Sequence, residues 1–161
     1  MIYGEELKKA QVDLPETKKK MQQLGKKNHR ELDKLFHDAH EQVFRKIDCL
    51  ACANCCKTTS PIFRDVDIRR IAKKQRMTEA AFIREYLRID EDSDYVLKSS
   101  PCTFLHADNT CSIYEDRPLA CREYPHTDRK NMHQILQLTT TNSLICPAVS
   151  RVISNIHEKK R

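Results

Sequence analysis

The sequence predicts a mainly α-helical protein with a small β-hairpin, organised around a metal centre. Of its 161 residues, 32% are charged and only 6% are aromatic, so the apolar core is expected to be modest. Apolar side chains recur at spacings of three and four residues over much of the chain, which is the helical period. Eight cysteines are also present, and in a reducing compartment metal binding is their usual purpose.

Residues 1–48 are predicted to form an N-terminal helical arm. Its apolar stripe follows the helical spacing at Leu32, Phe36, Ala39 and Val43. Asp13 followed closely by a proline is typical of a helix start. Residues 16–46 contain one glycine and no proline, which predicts a long amphipathic helix, preceded by a short one over residues 4–12. We expect this long N-terminal helix to be available to a protein partner.

Residues 49–161 are predicted to form a cysteine-cluster metal-binding domain. Helices are expected over residues 65–76, after the N-cap Thr78, and from Pro147 onwards. Short strands are expected over residues 95–97, 102–105, 111–114 and 134–138. The strands 102–105 and 111–114 are predicted to pair as the β-hairpin.

The central motif is C-x2-C-x2-C-C, formed by Cys49, Cys52, Cys55 and Cys56. A gap of two residues lets one backbone turn aim two sulfurs at a common point, so Cys49, Cys52 and Cys55 are predicted to share a metal centre. Bacterial ferredoxins present three sulfurs to a cluster in this way and take the fourth from a distance. Cys56 should point elsewhere, either to a second metal or as a buried or reactive thiol.

The remaining cysteines are Cys102, Cys111, Cys121 and Cys146. They lack the paired spacing of zinc ribbons. The hairpin should bring Cys102 and Cys111 together, and a turn at Pro118 should return Cys121 beside them. This group is predicted to supply the fourth ligand of the first centre, and any second centre should use the rest with Cys56. For Cys146 the alternative is an ordinary buried thiol.

The motif leaves the metal open between an iron–sulfur cluster, with [4Fe-4S] slightly favoured by the ferredoxin-like triplet, and zinc. Four thiolates around zinc carry an excess charge of −2, which Lys57, Arg117 and Arg122 are placed in the sequence to offset. His37 and His40 have a spacing that can chelate metal on a helix, but an exposed pair without a ligand role is the simpler interpretation.

Several functional classes are excluded or disfavoured. The only glycines are Gly4 and Gly25, so neither a P-loop nor a dinucleotide fingerprint can be formed. No nucleophile–base motif is recognisable, which leaves catalytic residues unassigned. Scarce aromatic residues argue against nucleic-acid binding, and no apolar run approaches the roughly 20 residues needed to cross a membrane. The N-terminus lacks a signal-peptide pattern, so we expect a cytoplasmic protein.

Three stretches together resemble the CxxCxxCC family of zinc- or iron-chelating cysteine-cluster proteins: residues 49–56, 101–105 and 111–125. The matching order and spacing extend over roughly residues 49–147 and leave the helical arm outside. Flagellin lysine N-methylases share the cysteine motif on much longer chains. The resemblance therefore implies metal binding, but it does not carry methylase activity over.

The leading expectation is a cytosolic metal-binding protein that holds an iron–sulfur cluster or zinc through clustered cysteines, with a redox or accessory role. One alternative is a protein-modifying enzyme related to the flagellin lysine N-methylase branch. Another is a zinc-stabilised interaction module that uses the long helix.

Overall fold

The computed structural model describes residues 3–158, which fall into two compact units. One unit comprises Met1–Cys52 and Pro125–Arg161, and the other comprises Ala53–Tyr124. Most described residues are helical and one two-stranded antiparallel sheet lies in the second unit, which confirms the predicted fold class. In the first unit the N-terminal helices pack with the C-terminal helix, and the division into an arm and a metal-binding domain after residue 48 stays a prediction.

The first unit is built from helices contributed by both ends of the chain. Before the second unit come α1 (Gly4–Val12), α2 (Leu14–Leu24), α3 (His29–Phe44) and α4 (Cys49–Cys52). After it come a 3-10 helix (Met132–Ile135), α9 (Leu136–Asn142) and α10 (Pro147–Glu158). The predicted helix start at Pro147 is confirmed.

The prediction of one long helix over residues 16–46 is wrong, because the chain breaks between α2 and α3. Asn28 has an extended backbone (φ −56°, ψ 137°), and its side chain accepts the N–H of Arg30 at 3.0 Å as an N-cap. At Gly25 the backbone passes close to Leu136, and a Cβ atom added to Gly25 would lie 3.2 Å from the Cδ1 atom of Leu136. Residues 25–31 contain no large apolar side chain, but the absence of a proline there left the helix prediction uninterrupted.

The core of the first unit lies mainly between α3 and α10. Its buried side chains are Met21, Leu24, Leu32, Phe36, Ala39, Val43, Met132, Ala148, Val149, Val152, Ile153 and Ile156. An ion pair also joins α1 to α10, since Arg151 donates to both carboxylate oxygens of Glu6 at 2.6 and 2.8 Å. The predicted arm is thus part of a packed helical unit.

The second unit follows the chain from helix to sheet and back to short helices. Its elements are α5 (Asn54–Thr58), α6 (Asp65–Lys74), α7 (Glu79–Tyr86), β1 (Leu87–Ile89), β2 (Tyr95–Leu97), a 3-10 helix (Tyr114–Asp116) and α8 (Leu119–Glu123). The Thr78 hydroxyl caps α7 by accepting the N–H of Ala81, as predicted. In the sheet, Leu87 pairs with Leu97 and Ile89 with Tyr95.

The hairpin therefore forms from β1 and β2, and only the strand over residues 95–97 was predicted in place. Residues 102–105 and 111–114 make a single bridge, between Leu105 and Cys111, because the chain closes a local turn after each cysteine. The predicted strand over residues 134–138 is helical instead: Gln134 donates to Asn131 O and starts the 3-10 turn that leads into α9.

The second unit has its own small apolar core. Its buried side chains are Phe63, Ile68, Ile71, Ala72, Phe82, Leu87, Leu97, Phe104 and Ile113. Cys102 and Cys111 pack against this core, so the sulfurs lie beside a well-defined apolar support.

Within residues 3–158, every helix is too short or too polar to cross a membrane.

Candidate metal centre

The eight cysteines are divided between the two units. The first unit contains Cys49, Cys52 and Cys146, and the second contains Cys55, Cys56, Cys102, Cys111 and Cys121. All eight lie in the described part of the chain and are present as thiols. Cys49 is exposed, whereas the other seven are half-buried.

Short helical turns hold the C-x2-C-x2-C-C motif. Asp48 accepts the N–H of Leu50 at 2.9 Å and so caps α4, which runs from Cys49 to Cys52. A spacing of three places these two cysteines on one face of the turn. Ala53 then takes a left-handed conformation (φ 47°, ψ 21°), which stops α4 before α5 begins.

Four thiols of the second unit form a group, which we call the four-thiol cluster: Cys56, Cys102, Cys111 and Cys121. Burial, together with the charges of the other three members, raises the pKa of Cys121 to about 12. Burial likewise raises the pKa of Cys102 and of Cys111, and Cys56 adds to both shifts. The Cys102 N–H donates to the Cys56 carbonyl at 2.8 Å. Cys121 therefore feels the charge of the other three thiols, and Cys56 acts on each of Cys102, Cys111 and Cys121.

Backbone amides point at two sulfurs of the four-thiol cluster. The sulfur of Cys102 accepts from the N–H groups of Phe104 and Leu105, and that of Cys111 accepts from the N–H of Ile113. These hydrogen bonds lower the pKa of both thiols and so oppose the effect of burial. Amides that donate to sulfur favour thiolate, which is the form that binds metal.

A guanidinium supplies positive charge to the same cluster. Arg117 stacks 3.6 Å above the ring of Tyr114, and its Nε donates to the carbonyl of Tyr114 at 2.7 Å. Its charge lowers the pKa of Cys56, Cys111 and Cys121. The prediction that Arg117 offsets thiolate charge is thereby confirmed.

Cys56 is the most acidic thiol whose pKa shift is resolved. Its pKa falls to about 7, chiefly because the Cys55 thiol donates to it, and Arg117 and Lys57 lower it further. Lys57 thus has the predicted compensating effect. Arg122 instead donates its Nε to the carbonyl of Arg117 at 2.9 Å, so it holds the backbone that carries Arg117.

A second group lies in the first unit, and we call it the three-thiol cluster: Cys49, Cys52 and Cys146. Burial raises the pKa of Cys146 to about 11, and the charges of Cys49 and Cys52 add to the shift. Cys146 immediately precedes α10, and its sulfur accepts from the amides of Ala148 and Val149 at the start of that helix. The helix start therefore favours thiolate on Cys146.

Charge interactions link Cys121 with Cys56, Cys102 and Cys111, and they link Cys146 with Cys49 and Cys52. Cys146 was one of the downstream cysteines expected to supply the fourth ligand of the first centre, and the assignment of ligands stays a prediction. Cys55 donates to Cys56, and its membership of the predicted first triplet stays a prediction.

The histidine pair on α3 makes other hydrogen bonds. His37 Nε2 lies 2.8 Å from the carbonyl oxygen of Arg129, and His40 Nδ1 lies 2.8 Å from the hydroxyl oxygen of Thr127. Both contacts favour the interpretation in which these side chains support the fold.

The donor chemistry of both clusters fits a thiophilic metal. Soft thiolates suit zinc and iron–sulfur clusters, and the amides and Arg117 provide the hydrogen bonds and charge that such sites need. Across residues 3–158, no group of three or more His, Cys, Asp or Glu side chains is already arranged to hold a metal ion. Within each cluster the thiols interact through their charges.

Comparison with known proteins gives one match. The CxxCxxCC profile, described as a putative zinc- or iron-chelating domain, matches residues 48–147. No curated protein and no solved structure shows significant similarity to the chain. The matched region begins just before Cys49 and ends just after Cys146, so it includes all eight cysteines. The chain belongs to the CxxCxxCC family of zinc- or iron-chelating domains.

Proposed function

We propose that this protein binds metal at two separate thiolate centres, one in each unit. The observation that carries the proposal is the four-thiol cluster, in which Cys56 acts on Cys102, Cys111 and Cys121, and Cys121 feels the charge of all three. Four sulfurs complete the coordination of a zinc ion or of a cubane cluster. The three-thiol cluster supplies three ligands to the other centre.

An iron–sulfur cluster is the metal group we favour, with a redox role for the protein. Support comes from the amides that donate to sulfur in both centres, since such hydrogen bonds tune cluster potentials. Zinc is the second candidate, because four thiolates and a nearby guanidinium also suit a closed structural site. Thiols in this number favour a cytoplasmic location, where they stay reduced.

The test is anaerobic purification followed by metal and acid-labile sulfide analysis. Iron with matching sulfide and visible absorbance would support the cluster, whereas colourless protein with zinc would support the second candidate. Zinc has no redox chemistry and would leave the protein without an electron-transfer role.

Single substitutions test whether the centres are separate. We expect Cys56→Ser to remove the metal of the four-thiol cluster and Cys146→Ser to remove that of the three-thiol cluster, each leaving the other in place. Loss of all metal in both variants would contradict two separate centres, and unchanged metal content in both would contradict the ligand assignment.

A further inference from the structure

A buried carboxylate anchors a network of arginines on α6. The side chain of Asp67 is fully buried, and its Oδ2 accepts from the Nε of Arg64 at 2.9 Å and from the backbone N–H of Arg64 at 3.2 Å. Its Oδ1 accepts from the Nη2 atoms of Arg64, at 3.2 Å, and Arg70, at 2.9 Å. The carboxylate therefore fixes the guanidinium of Arg70 in one position.

The same guanidinium reaches a second segment of the chain. Nη2 of Arg70 also donates to the carbonyls of Asp116, at 3.0 Å, and Arg117, at 2.8 Å. These carbonyls lie at the end of the 3-10 helix over Tyr114–Asp116. The last carbonyls of a helix have no N–H group of the same helix to accept from. Arg70 thus caps that helix from α6, although 46 residues separate it from Asp116 in the sequence.

The capped segment is the connection between two members of the four-thiol cluster. On one side, the N–H of Tyr114 returns to the carbonyl of Cys111 at 3.2 Å. On the other side, the N–H of Cys121 donates to the carbonyl of Pro118 at 3.0 Å. Arg117 lies between them and carries the positive charge that acts on the cluster. The Arg117 carbonyl thus belongs to the backbone that joins both cysteines and carries that charge.

We propose that Arg70 is a positioning residue of the four-thiol cluster, holding the Cys111–Cys121 connection at the place where both sulfurs can bind the same metal. This inference rests on the proposed metal centre and adds the device that preorganises it. Residues that orient metal ligands typically contribute about 10- to 100-fold in metal affinity.

The test uses the full chain loaded with Zn²⁺ and measures the alkylation rate of each cysteine by mass spectrometry. In Arg70→Gln we expect the four cluster thiols, which would lose a shared metal together, to be alkylated at least about tenfold faster than in the unsubstituted chain. Cys49 and Cys146 should keep their rates. Without Zn²⁺ the four thiols should react equally fast in both chains, whereas a general loss of stability in the second unit would raise their rates in the metal-free chain as well, so this comparison separates positioning from folding.

Two further variants keep the test decisive. Arg70→Lys retains a cation beside Asp67 but lacks the planar fork that reaches both carbonyls, so it should show the same selective loss in a folded chain. Arg69→Gln is the matched control, because Arg69 is 68% exposed and pairs with Glu79 on α7, and it should leave all rates unchanged.

If Zn²⁺ protects Cys111 and Cys121 as well in Arg70→Lys as in Arg69→Gln, the positioning role is wrong. The proposed metal centre would stand in that case. If Zn²⁺ fails to protect these thiols in the unsubstituted chain, the proposed centre and the positioning role both fail.

Discussion

Asp67 lies buried in α6, where Arg64 and Arg70 hold its carboxylate ionised. Their hydrogen bonds outweigh the opposing effect of burial and lower the pKa of Asp67 to about 2. A carboxyl whose pKa is lower in the folded state stabilises that state. The stabilisation is complete above the unfolded-state pKa near 4 and is lost as pH falls toward about 2. The shift corresponds to about 2 kcal/mol of unfolding free energy.

We therefore expect Asp67→Asn to lower the unfolding free energy by about 2 kcal/mol at neutral pH. The difference between the two chains should shrink as pH falls from about 4 toward about 2, because the carboxyl of the unfolded chain takes up its proton in this range while the native carboxylate is still ionised. Denaturant unfolding between neutral and acidic pH measures it. Asp65→Asn, at an exposed position on the same helix, is the control. A difference that does not depend on pH would contradict the role of the ionised carboxylate.

At the level of residues, the sequence predicted the type of site better than the grouping of its ligands. Order along the chain predicted that Cys102, Cys111 and Cys121 come together and that the charge of Arg117 acts on thiols. The grouping of Cys146 depends on where α10 begins in three dimensions, and sequence spacing contains no such distance. Arg70 was missed because its partners are backbone carbonyls, which leave no pattern of residue types.

The break between α2 and α3 depends on one capping side chain, Asn28. Replacing an N-cap asparagine by alanine typically costs about 1 kcal/mol, because the first amides of the helix lose their acceptor. We expect Asn28→Ala to lower the unfolding free energy by that amount, as measured by thermal or denaturant unfolding. Asn28→Asp retains the acceptor and should stay close to the unsubstituted value. Equal losses in both variants would show that the cap does not stabilise α3.

At the level of elements, helices with clear caps were predicted well and short strands poorly. Thr78 and Pro147 mark helix starts by local chemistry, and both predictions are confirmed. Residues 102–105 and 111–114 alternate as strands do, but amides that turn back toward Cys102 and Cys111 compete with strand pairing. Local turns around sulfur therefore replaced the expected hairpin.

The whole molecule has two modest cores, and we expect bound metal to contribute much of its stability. Metal present at a thousandfold excess over its dissociation constant adds about 4 kcal/mol to the unfolding free energy. For a chain of this size each kcal/mol moves the melting temperature by about 2–4 °C, so complete removal of metal should lower it by roughly 10 °C.

Calorimetry before and after treatment with a strong chelator measures the shift. Restoring the metal should restore the melting temperature, which controls for damage by the chelator. A metal-free chain that melts at the same temperature would show that the two cores suffice.

The division of the chain into units has a consequence for protein synthesis. Because the second unit is one continuous stretch, Ala53–Tyr124, all of it is translated before α10. Domains generally fold as units during synthesis. Every cysteine of the four-thiol cluster is thus synthesised before the partner helix of α3, and before the Cys146 that joins Cys49 and Cys52. The order of translation gives the two centres an order of assembly.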